Sequence, residues 1–321
     1  METLNTMKKP KISEKFLILL VITIFCYRSC LAEIITTSDF NVIEDYVKSA
    51  RDSTLVIFDI DDVLLQSKDF CLKNYYPDKE QEKSKYFFKK INEQLSIDQQ
   101  SEMIMQIELN LIDLKMVKLI NTLQKNSIKV LALTAKTTGK FGNIPYMENL
   151  TIKELHDFGY HFEKSWLNLN DQIFYQITPK SSKEFAMFKQ GVLLTNGAAK
   201  GNVLKKFLDY AKLHPKKIIF IDDYRKNLES VAYFANKENI IFLGIEYTIA
   251  KELNKKTFNE ERANFQLDIF KNNNKWLSDQ QADQILHKKK IDLIKTLSKE
   301  VYLEQKMFPK GDYKDPFYIK K

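Results

Sequence analysis

Acidic residues gather at two places where short apolar runs end. Asp59, Asp61 and Asp62 follow one run in TLVIFDIDDVLL, and Asp222 and Asp223 follow another in KKIIFIDD. Carboxylates just past the C-terminal end of a buried strand lie where open α/β sheets bind ligands. In extended chain Asp59 and Asp61, two residues apart, project to the same side. Carboxylates held so close cannot all ionise without a cation or a shared proton between them. A divalent ion with oxygen ligands meets that demand. A calcium loop counted from Asp59 does not, because its fifth, sixth and twelfth positions would be Val63, Leu64 and Phe70 instead of an acid or amide, Gly and Glu. Between the two acidic ends stand Thr134, closing VLALT, and Lys200, opening KGNVLKKFL. A hydroxyl at a strand end can donate to a phosphate oxygen, and an ammonium at a helix start can sit near both phosphate and carboxylates. Each is a weak signal alone. Their order between two acidic strand ends is what gives them weight.

The elements that must position these groups are legible as alternating patterns. Leu55–Phe58, Ile128–Leu133, Lys217–Ile221 and Ile240–Leu243 are apolar and β-branched without alternation, as strands covered on both faces are. Ile112, Met116, Leu119, Ile120 and Leu123 share one helix face before the second of them, and residues 201–213 and 226–236 read as helices flanking the third. This alternation predicts an α/β fold with a doubly wound parallel sheet. The core is expected over residues 33–253, with helical or mixed cap insertions at about 67–109 and 139–199, and a helical C-terminal extension with a basic tail over 254–321. Ser96-x-x-Gln99, Thr151-x-x-Glu154 and Ser278-x-x-Gln281 read as capping boxes that open helices.

At this point the chain resembles the haloacid dehalogenase (HAD) superfamily of phosphohydrolases from about Thr54 to Thr248. FDIDDVLL matches that family's first motif, LALT its second, the lysine of KGNVL its third and IIFIDD its fourth. The segments DIDDVLL, GVLLTNGAAKGNVL and KKIIFIDDYRKNLESV resemble, within it, an uncharacterised exported branch found in intracellular bacteria. The resemblance implies a HAD-like Rossmannoid core and a magnesium-dependent phosphatase acting on a small phosphomonoester. It implies Asp59 as the nucleophile that forms an aspartyl-phosphate, and Asp61 as general acid and then base. Thr134 and Lys200 would hold the transferring phosphoryl group. Asp59, the backbone carbonyl of Asp61 and Asp222 would bind Mg2+, with Asp223 as a further ligand or as an orienter of Lys200. Asp62 reads as a loop residue. Lys136 is either a second positive charge at the substrate mouth or a solvated lysine. Trp166, Phe174 and Tyr175 line a substrate cap or form a small core of the second insertion. The four histidines show no metal-ligand spacing and read as surface or helix residues.

The N-terminus reads as a signal peptide over residues 1–32. Lys8, Lys9, Lys11 and Lys15 precede a 12-residue apolar run, Phe16 to Tyr27, and Cys30 and Ala32 supply small residues at a cleavage site. Twelve helical residues span about 18 Å, against a hydrocarbon core of about 30 Å. The protein is therefore expected to be exported, periplasmic or secreted after cleavage near Ala32, with Cys71 its one remaining cysteine and hence no internal disulfide. The formal charge of +8 is uneven. The excess lies in the leader and in the tail from Ile285, which suits weak contact with anionic surfaces, whereas no motif for specific nucleic-acid recognition accompanies it. Two rivals to a phosphatase follow. A receiver-like phospho-switch fails on the long separation of Thr134 from Lys200 and on the export signal. An exported interaction protein that keeps the fold and metal site but works by binding a partner is the alternative, with the basic tail as its contact surface. Deleting Phe16–Tyr27 is expected to hold the protein in the cytoplasm, as read by fractionation of cells expressing it.

Overall fold

The computed structural model of the chain describes residues 32–73, 78–175, 177, 185–254 and 257–307. The expected signal peptide, apart from Ala32, and the end of the basic tail lie outside them. In chain order the elements are β1 (Ala32–Thr37), α1 (Phe40–Lys48), β2 (Thr54–Phe58), β3 (Leu65–Ser67), α2 (Asp78–Gln94), α3 (Ile97–Gln106), β4 (Leu109–Leu111), α4 (Leu114–Lys125), β5 (Lys129–Thr134) and α5 (Met147–Asp157). They continue with β6 (Gln172–Phe174), β7 (Ala186–Lys189), β8 (Val192–Leu194), α6 (Lys200–Ala211), β9 (Lys217–Asp222), α7 (Arg225–Lys237), β10 (Ile241–Tyr247), α8 (Ile249–Leu253), α9 (Glu260–Asn273) and α10 (Asp279–Met307).

Eight strands form one sheet in the order β1-β10-β9-β2-β5-β8-β7-β6, and β3 pairs with β4 in a separate small sheet. Pairing is parallel from β1 through β8; β7 and β6 run antiparallel at one edge. Every residue of β2 is buried. Its alternate side chains serve two different cores: Val56 and Phe58 join one with Met116, Leu119 and Ile120 of α4, whereas Leu55 and Ile57 join another with Val203 and Phe207 of α6 and Leu228 and Val231 of α7. A strand covered on both faces needs an unbroken apolar sequence, which is why TLVIF shows no alternation.

The chain divides into two compact units. The first spans residues up to 66 and from 109 to 256 and contains the eight-stranded sheet. Within it the second expected insertion is no separate cap. Residues 139–199 supply β6, β7 and β8 to the main sheet, with β8 pairing parallel to β5 from Ala132↔Val192 to Thr134↔Leu194. The sequence reading misses β8 because its three apolar residues are too short a run to stand out from a coil. It also misses β1, whose half-exposed burial pattern marks it as the sheet's edge. The helix expected to open at Thr151 starts earlier, at Met147, with Tyr146 as its N-cap. Thr151 is instead buried in mid-helix and donates its hydroxyl to the Met147 carbonyl at 3.1 Å.

The second unit joins residues 67–108 to residues from 257 onward. The first insertion and the C-terminal extension, read separately in the sequence, thus share one core of Phe70, Phe87, Ile91, Phe258, Leu267, Phe270 and Trp276. The capping boxes at Ser96 and Ser278 form as expected, each with reciprocal bonds to Gln99 and Gln281.

Trp166 belongs to the first unit's core rather than to a substrate cap. Its indole N–H donates to the Val130 carbonyl at 2.8 Å, and its ring meets Phe188 and Phe207 edge-on. Phe174 is buried in the same cluster, while Tyr175 is exposed. Trp166→Ala is therefore expected to destabilise the first unit by about 3–5 kcal/mol, read as a lower urea midpoint.

Candidate active site

The register of the sheet brings the two acidic strand ends together. Phe58 lies beside Ile221, and the Asp59 N–H continues the ladder by donating to the Ile221 carbonyl at 2.9 Å. Asp59 and Asp222 are thereby neighbours at the C-terminal ends of β2 and β9. Asp59, Asp222 and Asp223 are all buried, and each offers an oxygen within 4.8 Å of the others. Lys200, at the first turn of α6, reaches in from the next crossover. Its ammonium lies 2.8 Å from Asp59 Oδ2 and 2.7 Å from Asp222 Oδ2, with all three side chains nearly inaccessible.

Each member is held by its surroundings. The free oxygen of Asp222 accepts from the Tyr224 N–H at 2.8 Å and from the Asn227 amide at 3.0 Å. Asp59 Oδ1 accepts from the Ile60 N–H at 2.8 Å. Lys200 depends on its neighbour Gly201, where an added Cβ would stand 2.2 Å from the Ser230 carbonyl oxygen. Only a glycine lets the start of α6 come this close to α7, and the Gly201 N–H donates to Ser230 Oγ across that gap.

The electrostatics follow from this crowding. Burial pushes the Asp59 carboxyl well above its ordinary range; Lys200 opposes the rise, and Asp222, Asp223 and Asp61 add to it. Burial pulls the Lys200 ammonium down, but Asp59 and Asp222 outweigh it and hold its affinity for the proton above normal. Lys200 bridges two of the three buried carboxylates. The donor set is all oxygen, which suits a hard divalent cation such as Mg2+.

Asp61 stands apart from this cluster. Its side chain is about half exposed and lies 3.4 Å from the ammonium of Lys136, which also bonds Glu154 Oε2 at 3.0 Å. Lys136 is therefore neither solvated nor unpaired. Burial works against its charge, yet the carboxylates of Asp61 and Glu154 more than compensate and keep it protonated. Thr134 is buried at the end of β5, level with the turn after β2, and its hydroxyl accepts from the Lys136 N–H at 3.2 Å. Asp62 is a buried loop residue in the left-handed region, φ 60°, with its N–H donating to the Leu65 carbonyl at 2.8 Å. That turn carries Asp61 outward while Asp59 stays in the strand's line.

Two residues escape the sequence reading. Glu154 looks like part of a capping box, and only the fold of α5 places it against Lys136. Thr195 follows β8, and its N–H donates to the Thr134 carbonyl at 2.9 Å. Its buried hydroxyl has no hydrogen-bond partner among the described residues.

A family profile described as "Protein of unknown function (DUF2608)" matches residues 36–283. The chain belongs to this family. Among curated proteins it is 25% identical to an uncharacterised protein of Rickettsia prowazekii over 251 residues, 78% of this chain and 89% of that one. It is 28% identical to a Rickettsia felis protein over 131 residues, 40% of this chain and 44% of the relative. A Chlamydia trachomatis protein named "Putative outer membrane protein" is 31% identical over 104 residues, 32% of this chain and 36% of that one. No solved structure matches. No described helix of this DUF2608 chain is long and apolar enough to cross a membrane.

If the carboxylate cluster takes a divalent cation, Mg2+ will raise the Tm of the wild-type protein. At a hundredfold excess over the dissociation constant the gain is about 2.7 kcal/mol. Asp222→Asn is expected to remove that magnesium-dependent shift, read by thermal melts with and without the ion.

Proposed function

We propose that this DUF2608 protein is a magnesium-dependent phosphohydrolase on a doubly wound, haloacid dehalogenase-like core, hydrolysing a small phosphomonoester outside the cytoplasm. The observation that supports it most is the buried cluster of Asp59, Asp222, Asp223 and Lys200, with Asp61 half exposed two residues from Asp59. The carboxylates of Asp59, Asp222 and Asp223 and the backbone carbonyl of Asp61 would hold the ion. When bound, Mg2+ supplies positive charge against the phosphate oxygens and among the carboxylates.

In this reading an Asp59 carboxylate oxygen attacks the phosphorus, and the bond from phosphorus to the leaving oxygen breaks. Asp61 gives its proton to that oxygen as the alcohol departs. The aspartyl-phosphate on Asp59 is then attacked by water, whose proton Asp61 takes, releasing inorganic phosphate and restoring the Asp59 carboxylate. Lys200 would balance charge at the nucleophile, and the Thr134 hydroxyl would donate to the phosphoryl group. Lys136, held by Glu154, sets the position of Asp61 and keeps a positive charge beside it. Most of what phosphoryl transfer requires is such positioning and charge.

The N-terminal segment read as a signal peptide supports export, and the name of the Chlamydia trachomatis relative agrees with it. A site that had lost catalysis need not keep Asp61, so its presence supports the enzymatic reading over a protein that works only by binding a partner.

Purified mature protein assayed with an aryl phosphate and Mg2+ is expected to turn over, and Asp59→Asn to abolish turnover. Asp61→Asn should slow hydrolysis by about 10²–10⁴-fold and leave the phosphorylated enzyme trapped, visible as a mass increase on the intact chain. Folded, magnesium-bound wild type with no turnover across a wide pH range would sink the proposal.

A further inference from the structure

Well apart in sequence from the carboxylate cluster, His156, His161 and Glu163 present ligand atoms within 4.8 Å of one another. His156 Nε2 lies 3.2 Å from Glu163 Oε2, and His161 Nδ1 lies 3.1 Å from Glu163 Oε1. The two imidazole rings are 4.8 Å apart between centroids. We propose that these three side chains form a second metal site, one that takes a zinc-class transition ion.

The backbone builds this arrangement from the inside. Tyr160 and Phe162 are almost fully buried in the first unit's core with their rings stacked. Their burial turns the alternate residues His161 and Glu163 outward together. His156 lies in the last turn of α5, and Gly159, at φ 84°, turns the chain back so that His156 meets them. Gln124 donates to the His161 carbonyl at 2.8 Å and pins the loop from α4. The three side chains are each about one-third exposed, open enough for an ion to reach. His156 also lines a surface cleft with Asp157 and Lys189.

The spacing suits coordination. With bonds of about 2.0–2.1 Å, ligand atoms on a tetrahedral ion stand roughly 3.3 Å apart. Each His–Glu separation has that size, one to each Glu163 oxygen, and an ion replacing the imidazole protons would draw both rings onto this carboxylate. Two imidazoles and one carboxylate select zinc, copper, nickel or cobalt over magnesium. The ion would tie the end of α5 to the short turn at Phe162–Ser165.

Untagged, chelator-stripped full chain would be titrated with Zn2+ against a chromogenic chelator, and with Co2+ by visible absorption. One equivalent is expected to bind at least about tenfold more tightly to wild type than to His156→Ala/His161→Ala, with the tetrahedral cobalt bands lost in that variant. Glu163→Gln, which keeps the hydrogen-bonding shape, should also weaken zinc, while Asp59→Asn should leave this binding intact. Equal titrations of wild type and both site variants would overturn the proposal. So would loss of binding in Asp59→Asn with retention in the histidine variant, which would put the ion at the carboxylate cluster.

Discussion

Repulsion among the buried carboxylates of Asp59, Asp222 and Asp223 is the constraint around which the first unit is arranged. Moving an ionised carboxylate out of water costs several kcal/mol unless it is paired, and here three share one place. Lys200 answers part of that demand by bridging Asp59 and Asp222. It can do so only because α6 begins beside β9, and α6 begins there only because Gly201 permits contact with the Ser230 backbone. The packing of two helices is thus tied to the charge balance of the site. Backbone and amide donors bind the other Asp222 oxygen, so both oxygens of this carboxylate have protein partners.

The same sheet separates the two carboxylates of the first acidic run into different roles. Asp59 continues the line of β2 and stays buried. The left-handed turn at Asp62 brings the chain back toward Leu65, so that Asp61 projects toward solvent beside Lys136. Glu154 gives Lys136 its second partner, making a chain of alternating charge from α5 to the turn after β2. An exposed ion pair is worth little, but this one is half sheltered and fixes where Asp61 can point.

The second unit is organised by a different polar network. Asp69 accepts from the Trp276 indole and from the Asp279 N–H, both at 2.8 Å, while Asp279 accepts from the Phe70 N–H at 2.9 Å. These bonds join segments about two hundred residues apart. The bond from the Trp276 indole satisfies a donor that would otherwise be buried without a partner. Burial raises the Asp69 carboxyl above its normal range, against the pull of the Trp276 and Asp279 hydrogen bonds.

By itself the sequence determined the strands β2, β5, β9 and β10, the helices between them and the four groups of residues at their ends. Those features are local. A buried strand must be apolar throughout, a helix must carry a stripe of period 3.6, and a strand end is where polar residues resume. The tertiary structure alone decided that Asp59, Lys200, Asp222 and Asp223 gather in one place while Asp61 turns to Lys136, because strand order and register set which ends are neighbours. It alone brought β6, β7 and β8 from residues 139–199 into the main sheet, joined residues 67–108 to the C-terminal helices, and brought His156 and His161 to one carboxylate. Each of these rests on pairing between residues far apart in the chain, or on a turn whose direction one left-handed residue sets. Neither leaves a periodic trace in the sequence.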